Sequence, residues 1–394
     1  MRTRFVFLKK VIPAICALSF FCGLLFAGVS LGPVNAIKNK VNEYNDKVRQ
    51  DRINNYGEYI GAHGTITGVV RSAAGVPKGY TTVYVQGVNR GYTDQNGIYT
   101  VNVAPDQPLK LKSTTYSNVN GAEVDSIEYT VTAAKGETKT QDICFTNWNV
   151  LDSNISGSGN YSEDVKLAAA KSPYTVTGNF SCNNIGIDPG VHIQFSGSYS
   201  FNASGVVIAS GTASQPIVFT SGRTSPAAGD YGTLQLGSQD NLKSTTMNHV
   251  NFEYGADYYI YGNADSQVLN CAFKNNYSGA VSLELNGSVK YSDFLSTSSI
   301  SQLNIYGAPQ ISYCDILPLI TAQGNAGQYS INHCNLKKGS GTVLSNNANW
   351  TIDATYNWWG SSVTATVTNF ISKPKGSVTF QPFVNALIPG CGPQ

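Results

Sequence analysis

Two aspartates at equivalent positions of a sequence repeat are the residues best placed for chemistry in this chain. Asp293 lies in the segment VKYSDFLST and Asp315 in ISYCDILPL. If these segments form neighbouring strands, the two carboxylates lie about 5 Å apart, which is the separation of a retaining glycosidase pair. Repulsion between them would raise the pKa of one carboxyl and provide a general acid. The alternative is a solvated surface on which the two side chains turn away from each other.

The same segments carry aromatic and polar side chains that suit binding. Tyr291 and Tyr313 precede the aspartates. His249 and His333 occupy the same position in two other segments of the repeat. Aromatic faces supply apolar area with polar edges, and His and Asp form hydrogen bonds with hydroxyl groups. The residues that we predict to bind carbohydrate or a surface protein are Tyr291, Tyr313, His249, His333, Asp293 and Asp315. The alternative is that the tyrosines only cover a neutral sheet.

An internal repeat over residues 247–336 must position these side chains. Five segments align on one apolar position with steps of 21, 21, 22 and 20 residues, and that position holds Phe252, Phe273, Phe294, Ile316 and Leu336. A period near 20 residues is typical of units that stack on copies of themselves, because no unit buries its apolar face alone.

Side-chain alternation divides each repeat into an inward and an outward column. Successive residues of a strand face opposite ways, so the residues two before the apolar position face inward with it: Val250, Cys271, Ser292, Cys314 and Cys334. The residues one and three before it are predicted to face outward. Together they would form one continuous ladder, whose central rungs pair Tyr with Asp.

The cysteine column is predicted to be structural. His333 and Cys334 are neighbours and therefore diverge, whereas zinc needs converging ligands, so we predict no metal site and no cofactor. Cys314 and Cys334 lie on neighbouring coils within disulfide reach, but Cys271 is too far from Cys314. At most one disulfide is expected among the three.

Composition argues against nucleic acid as a partner. Charged residues make up 13% of the chain, against roughly 25% in ordinary soluble domains. Four of the 26 basic residues precede Val11, which leaves 22 basic against 24 acidic residues in the rest of the chain. A near-neutral chain without a basic run along its repeats does not suit a nucleic-acid surface.

The N-terminal residues 1–36 predict export. Basic residues precede an apolar run at 11–31, and Val34-Asn35-Ala36 offers a cleavage site of small residues. This pattern is typical of a secretory signal peptide, and an uncleaved membrane anchor is the alternative. We therefore expect a secreted or cell-surface protein. Residues 37–63 are predicted to be a short amphipathic helix or a linker.

Residues 64–145 consist of short β-runs with an Asn96-Gly97 turn signal, which predicts a small antiparallel β-sandwich. The segment Thr93–Tyr99 resembles the carboxypeptidase regulatory-like domain, a transthyretin-like β-sandwich. Such domains are typically non-catalytic, so the resemblance implies a spacer or a binding module.

Residues 146–394 resemble the right-handed parallel β-helix of the pectin-lyase-like superfold. The likeness is carried by Asp188-Pro189-Gly190-Val191 and by Pro216–Thr220, and Tyr356–Gly360 resembles the closing coil of that family, with Trp358 and Trp359 as a cap. The fold class that we predict is therefore all-β, a right-handed parallel β-helix preceded by a small antiparallel β-sandwich. The Gly-His-Gly segment, clustered aspartates and basic motif of the family's enzymes are absent from these coils.

Three functions are compatible with this sequence. The first is a non-enzymatic secreted or surface protein that binds glycans or other proteins through the outer face of the β-helix. The second is a polysaccharide lyase or glycoside hydrolase. The third is a structural subunit that associates end to end into fibres, because the unpaired strands at the ends of a solenoid can template association.

Overall fold

The structure, a computed structural model, describes most of the chain beyond residue 62. The described ranges are 63–116, 123–157, 160–161, 164–240, 242–275, 280–294, 302–324, 327–337 and 341–394, with residues 40, 42–44 and 47. The predicted signal or anchor at 1–36 lies outside them. Within the predicted helical segment, residues 40, 42–44 and 47 are helical. No helix in the described part of the chain is long and apolar enough to span a membrane.

Nine short strands precede the β-helix in the described residues. They are β1 Gly64–Arg71, β2 Thr82–Val85, β3 Val88–Tyr92, β4 Ile98–Val103, β5 Leu109–Tyr116, β6 Glu123–Asp125, β7 Tyr129–Val131, β8 Thr138–Thr140 and β9 Ile143–Cys144. One sheet has the order β4-β1-β8 with β9 also on β1, and the other has the order β3-β2-β5-β6 with β7 also on β5.

The two small sheets share one apolar core. Ile66 and Val101 from the first sheet are buried in the same cluster as Val83 and Leu111 from the second. The predicted antiparallel pairings before the β-helix are present, as between β1 and β4. The first sheet is mixed, however, because β1 pairs in parallel with β8 and β9.

Three long parallel sheets follow. Sheet A contains β10 Asn149–Val150, β13 Val165–Leu167, β16 Ile185–Ile187, β19 Val207–Ser210, β22 Thr245–Asn248, β25 Gln267–Leu269, β28 Ser288–Lys290, β31 Gln310–Ser312, β34 Tyr329–Asn332, β37 Ile352–Asp353 and β39 Val378–Thr379. Sheet B contains β11 Asn154–Ile155, β14 Tyr174–Val176, β17 His192–Phe195, β20 Ile217–Ser221, β23 Val250–Glu253, β26 Ala272–Lys274, β29 Asp293–Phe294, β32 Asp315–Ile316 and β35 Asn335–Leu336.

Sheet C contains β12 Asn160–Tyr161, β15 Phe180–Cys182, β18 Phe201–Ala203, β21 Leu234–Leu236, β24 Tyr258–Gly262, β27 Ala280–Leu285, β30 Gln302–Gly307, β33 Leu319–Ala322, β36 Leu344–Asn346 and β38 Ile371–Ser372. A 3₁₀ helix, Ala169–Lys171, and the helix α1, Thr364–Asn369, interrupt the coils. Every strand pairs with the strand three further along the chain over most of each sheet, so three strands make one coil. The predicted parallel β-helix is confirmed.

The register of the strands confirms the sequence repeat. Phe252 pairs with Phe273, and Ile316 pairs with both Phe294 and Leu336. All five side chains are buried. The rings of Phe252 and Phe273 stack at 4.7 Å, and those of Phe273 and Phe294 at 5.0 Å, so one apolar column runs through the core.

The second inward column is also placed as predicted. Cys271, Ser292, Cys314 and Cys334 are fully buried. The described cysteines are all free thiols, and the Cys314 amide donates to Cys334 Sγ at 3.5 Å. Burial raises the pKa of the Cys271 thiol to about 12. A thiol that stays protonated is a poor nucleophile and metal ligand, so this column acts as a small apolar stack.

The last coils close the core. Trp359 is fully buried, and its ring meets Phe380 edge to face at 6.4 Å. Val367 of α1 joins the same apolar cluster. Without these residues, the apolar side chains of the last coil would be exposed to water.

The phenylalanine column gives the first prediction. We expect Phe273→Ala to lower the free energy of unfolding by about 3 to 5 kcal/mol, because it removes a ring between two others and leaves a cavity. Urea denaturation followed by circular dichroism measures the change. Lys274→Ala is the control: its side chain is exposed, and we expect less than about 0.5 kcal/mol. Equal effects of the two substitutions would contradict the placement of this column.

Candidate functional site

Each of six successive coils turns from sheet A into sheet B on a single residue with a positive φ. The values lie between 48° and 59° at His249, Asn270, Tyr291, Tyr313, His333 and Tyr356. This left-handed conformation is uncommon for residues other than glycine, and it strains bulky side chains. The sequence analysis treated each repeated segment as one regular strand. This is wrong, because β22 ends before His249 and β23 begins after it.

Four of these corner residues stack on one another, and we call Tyr291, Tyr313, His333 and Tyr356 the corner stack. Ring centroids are 5.2 Å apart between Tyr291 and Tyr313, 5.4 Å between Tyr313 and His333, and 5.3 Å between His333 and Tyr356. Neighbouring planes lie within 23° of parallel. The structure thus brings together three of the predicted binding residues and adds Tyr356.

His249 is separated from the corner stack. Asn270 occupies the corner between His249 and Tyr291, and its Nδ2 donates to Asn248 at 2.9 Å. The Nε2 atom of His249 lies 3.0 Å from the main-chain oxygen of Gln394. This histidine therefore contacts the end of the chain, and the corner stack begins two coils away.

A groove of about 380 Å³ lies beside the corner stack on the side of sheet A, and we call it the corner groove. Tyr313, His333 and Tyr356 line it as an aromatic wall, and Tyr356 is 47% exposed. The other residues that line it are mainly polar: Lys290, Gln310, Ile311, Ser312, Ser330, Asn332, Asp353 and Thr355. Aromatic rings beside hydroxyl and amide groups suit a ligand that has both apolar surface and hydroxyl groups.

The sequence contained a signal for Tyr356. Ile352 pairs with Tyr329, so Tyr356 follows His333 by one coil, and extending the repeat by one unit would have found it. The polar residues of sheet A had no such signal. They alternate with buried residues of the same strands, and any solvated strand shows that pattern.

The two aspartates lie on the other side of the corner, in sheet B. Asp293 and Asp315 are register partners on β29 and β32, as predicted. Asp315 is held by Lys337, whose Nζ is 2.7 Å from Oδ2, and by Asn335, whose Nδ2 donates to Oδ1 at 2.8 Å. The Oδ1 atom of Asp293 is buried and has no hydrogen-bond partner among the described residues.

Burial is the main reason why Asp293 is a weak acid. It raises the pKa of this carboxyl from 3.8 to about 6, and repulsion by Asp315 adds to the effect, whereas Lys337 and Lys274 oppose it. The predicted repulsion is therefore present but secondary to burial.

Residues 381–394, which we call the return segment, run back over sheet B and cover the aspartates. The segment contacts successive coils through hydrogen bonds from the Val384 amide to the Asn357 carbonyl at 3.1 Å, from the Ile388 amide to Asn335 Oδ1 at 2.8 Å, from the Gly392 amide to the Tyr313 carbonyl at 3.0 Å and from the Gln394 amide to Asn270 Oδ1 at 3.2 Å.

The return segment overturns the prediction of one open ladder of Tyr and Asp. Asn335 is 3% exposed and Ala272 1% exposed. A Cβ atom added to Gly392 would lie 2.5 Å from Asp293 Oδ1, so the main chain passes directly over that carboxylate. Side-chain alternation had predicted which residues leave the core, but it contains no information about a segment that covers them.

The histidine and cysteine positions of the repeat lie on different sides of the backbone. Cys334 faces the core, whereas His333 lies in the corner stack. Across the described ranges, no three or more His, Cys, Asp and Glu side chains are grouped so that they could hold a metal ion.

Comparison with known proteins supports the β-helix. Residues 159–284 match the family model of the pectate-lyase like beta helix domain. These residues are therefore similar to that domain, and they form coils of the parallel β-helix. The match includes the corner residues His249 and Asn270 and ends before the corner stack. The resemblance of residues 64–145 to a regulatory-like domain stays a prediction. No curated protein and no solved structure matched the chain.

The covered carboxyl gives a prediction about pH. Folding raises the pKa of Asp293 from 3.8 to about 6, so the fold favours its neutral form. The free energy of unfolding should therefore fall as pH rises through this window. Asp293→Asn removes the charge, and we expect a gain on the order of 1 kcal/mol near neutral pH, reduced by the partial exposure of the group.

Urea denaturation of both proteins measures this difference near neutral pH and again below pH 3.8, the ordinary value for this carboxyl, where the gain should vanish. Asp265→Asn, which changes an exposed carboxylate, should show neither effect. A gain that is the same at both pH values would contradict the assigned cause.

Proposed function

We propose that this protein is a non-enzymatic, secreted or cell-surface carbohydrate-binding protein whose ligand lies in the corner groove. The observation that carries the proposal is the aromatic wall of Tyr313, His333 and Tyr356 beside the polar residues that line the rest of the corner groove. Sugar rings have apolar C–H faces and hydroxyl edges. The exposed parts of the rings, above all of Tyr356, which is 47% exposed, can pack against the former. Groups such as Asn332 and Ser312 can form hydrogen bonds with the latter.

The spacing of the wall favours an extended glycan along the axis of the β-helix. Rings recur every 5.2 to 5.4 Å in the corner stack. One sugar residue of an extended chain advances by close to one strand spacing, so successive sugars would meet successive rings. The groove lining contains one cation, Lys290, and one anion, Asp353. A neutral glycan suits this balance better than a charged one.

The carboxylates support binding rather than hydrolysis. Glycoside hydrolysis generally uses two carboxylates on either side of the scissile bond, and the corner groove is lined by one, Asp353. The Oδ1 atom of Asp353 accepts a hydrogen bond from Thr355 at 2.8 Å. The adjacent pair, Asp293 and Asp315, lies beneath the return segment.

The sequence supports the proposed export of the protein and suggests a role for its N-terminal sheets. The apolar N-terminal run and the low content of charged residues support export. The small sheets of residues 64–145 would serve as a spacer or an additional binding module.

End-to-end association into fibres is a separate proposal, and electron microscopy of concentrated protein tests it: monodisperse particles alone would reject it.

One observation favours an enzymatic alternative, a hydrolase or lyase of the pectin-lyase-like superfold. Asp293 has a pKa of about 6 and lies beside Asp315, a combination that suits a general acid. This function requires the return segment to leave the pair. New reducing ends or unsaturated products from acidic or neutral polysaccharides, lost in Asp293→Asn, would replace our proposal with this one.

The binding proposal predicts the behaviour of a double variant, Tyr313→Asn with Tyr356→Asn. Asparagine already occupies the same corner at position 270 with a φ of 53°, so the backbone should be kept while two rings are lost. Each aromatic contact is worth about 1 kcal/mol, so affinity for a bound glycan should fall at least about tenfold. Affinity electrophoresis in a panel of neutral polysaccharides (xylan, glucomannan, β-glucan and hydroxyethyl cellulose) measures retention.

The matched control is Tyr80→Asn. Tyr80 also has a positive φ, 55°, and is 76% exposed, but it lies outside the corner groove. We expect this variant to be retained like the parent protein. If the parent is retained and the folded double variant is retained equally, the corner groove is not the binding site.

A further inference from the structure

Sheet C carries a second aromatic cluster on its outer face. Tyr261, Glu284 and Tyr306 are register partners on β24, β27 and β30, so they form one column with the carboxylate in the middle. Tyr259 faces the same way on β24. Its ring centroid is 6.4 Å from that of Tyr261, and the two planes are 8° apart.

The polar ends of this cluster lie close together. Burial and then the charge of Glu284 raise the pKa of Tyr261, and Tyr259 and Tyr306 add to the effect. Burial, Asp257 and then Tyr306 raise the pKa of Tyr259. Tyr306 therefore interacts electrostatically with both other tyrosines, and its hydroxyl donates a hydrogen bond to Gln323 Oε1 at 3.3 Å.

Within the described ranges, the Glu284 carboxylate forms no ion pair with a cation. Burial raises the pKa of Glu284, and a hydrogen bond from the Gln239 side chain opposes the effect. A partly buried carboxylate between two aromatic residues, with one amide as its partner, is an environment that favours a positively charged ligand.

The strand spacing gives this site the dimensions of an ammonium cage. Tyr261 and Tyr306 are two strand spacings apart, or about 9.6 Å. A cation above Glu284 would therefore lie one strand spacing, about 4.8 Å, from the register position of each tyrosine, within the reach of about 6 Å for a cation–π interaction. The same cation would meet the carboxylate directly below it.

We propose that Tyr261, Glu284 and Tyr306 form a binding site for an organic ammonium group, supplied by an amino sugar with a free amine in a linear glycan. The neighbouring column favours a glycan. Along the axis, Tyr259 is flanked in register by two uncharged residues, Gln235 and Ser282. Ser282 is buried, whereas Gln235 is partly exposed and can form hydrogen bonds as sugar hydroxyls require. This site lies on a different sheet from the corner groove and does not depend on binding there.

Isothermal titration near neutral pH with two defined tetrasaccharides tests the proposal. One is the β-1,4-linked glucosamine tetramer, which carries free amines, and the other is its fully N-acetylated counterpart. We expect the free-amine tetramer to bind at least about tenfold more tightly, because only its ammonium group can interact with the rings and the carboxylate. Equal binding of the two tetramers, or binding of neither, would overturn the proposal.

Two variants and a control locate the binding. Glu284→Gln keeps the shape and removes the charge, and Tyr261→Leu removes one ring. Each should lower the affinity for the free-amine tetramer about tenfold. Glu253→Gln makes the same chemical change on sheet B and should leave binding unchanged, and urea denaturation verifies that all three variants are folded. Unchanged binding by folded Glu284→Gln would reject the site.

A third ligand distinguishes the source of the ammonium group. A short lysine-rich peptide offers the same charge without sugar hydroxyls. Weaker binding of the peptide than of the free-amine tetramer supports the glycan, and equal or tighter binding overturns it in favour of a protein partner. The Tyr313→Asn and Tyr356→Asn double variant should bind the free-amine tetramer normally, so failure of this site and failure of the corner groove can be told apart.

Discussion

In-register stacking of the coils is the constraint on which the rest of this structure depends. Parallel strands lie about 4.8 Å apart, so any residue type that recurs at one position of the coil becomes a continuous column. Inside, this gives the phenylalanine stack, with ring spacings of 4.7 and 5.0 Å. At the corner it gives the stacked Tyr and His rings, and in sheet B it places Asp293 beside Asp315. The same geometry thus produces the core, the corner stack and a repulsive pair.

The corner stack is not needed to make the turn. Asn270 turns the chain at the same position with a φ of 53°, and asparagine adopts this conformation more readily than tyrosine does. A bulky residue there costs of order 1 kcal/mol. Face-to-face contacts between rings offset part of this strain, but a corner of asparagines would avoid it. The aromatic side chains therefore point to a role outside folding, which is why the corner groove is the stronger functional candidate.

The sequence predicted the period and the inward columns, but it missed the corner and the return segment. The period and the inward columns follow from apolar residues such as Phe252 and Cys271, because burial selects for them in every coil. The corner residue shifts the alternation by one position, because Val268 and Cys271 are three residues apart and both are buried. The prediction missed this shift because it extended the alternation only three residues back from the apolar position. The return segment escaped because it has no period, and its contacts join residues far apart in sequence, such as Ile388 and Asn335.

The return segment links the two sides of the corner. It binds the main chain of the corner stack from the side of sheet B, where the Tyr313 carbonyl accepts from Gly392 and the His333 carbonyl accepts from Cys391 Sγ at 3.3 Å. The side chains of Tyr313 and His333 meanwhile line the groove on the side of sheet A. Anchoring the backbone in this way restrains the rings, which would lower the entropy cost of binding a ligand in the proposed site. Burial of Asp293 is then a consequence of a segment whose contacts hold the aromatic wall in place.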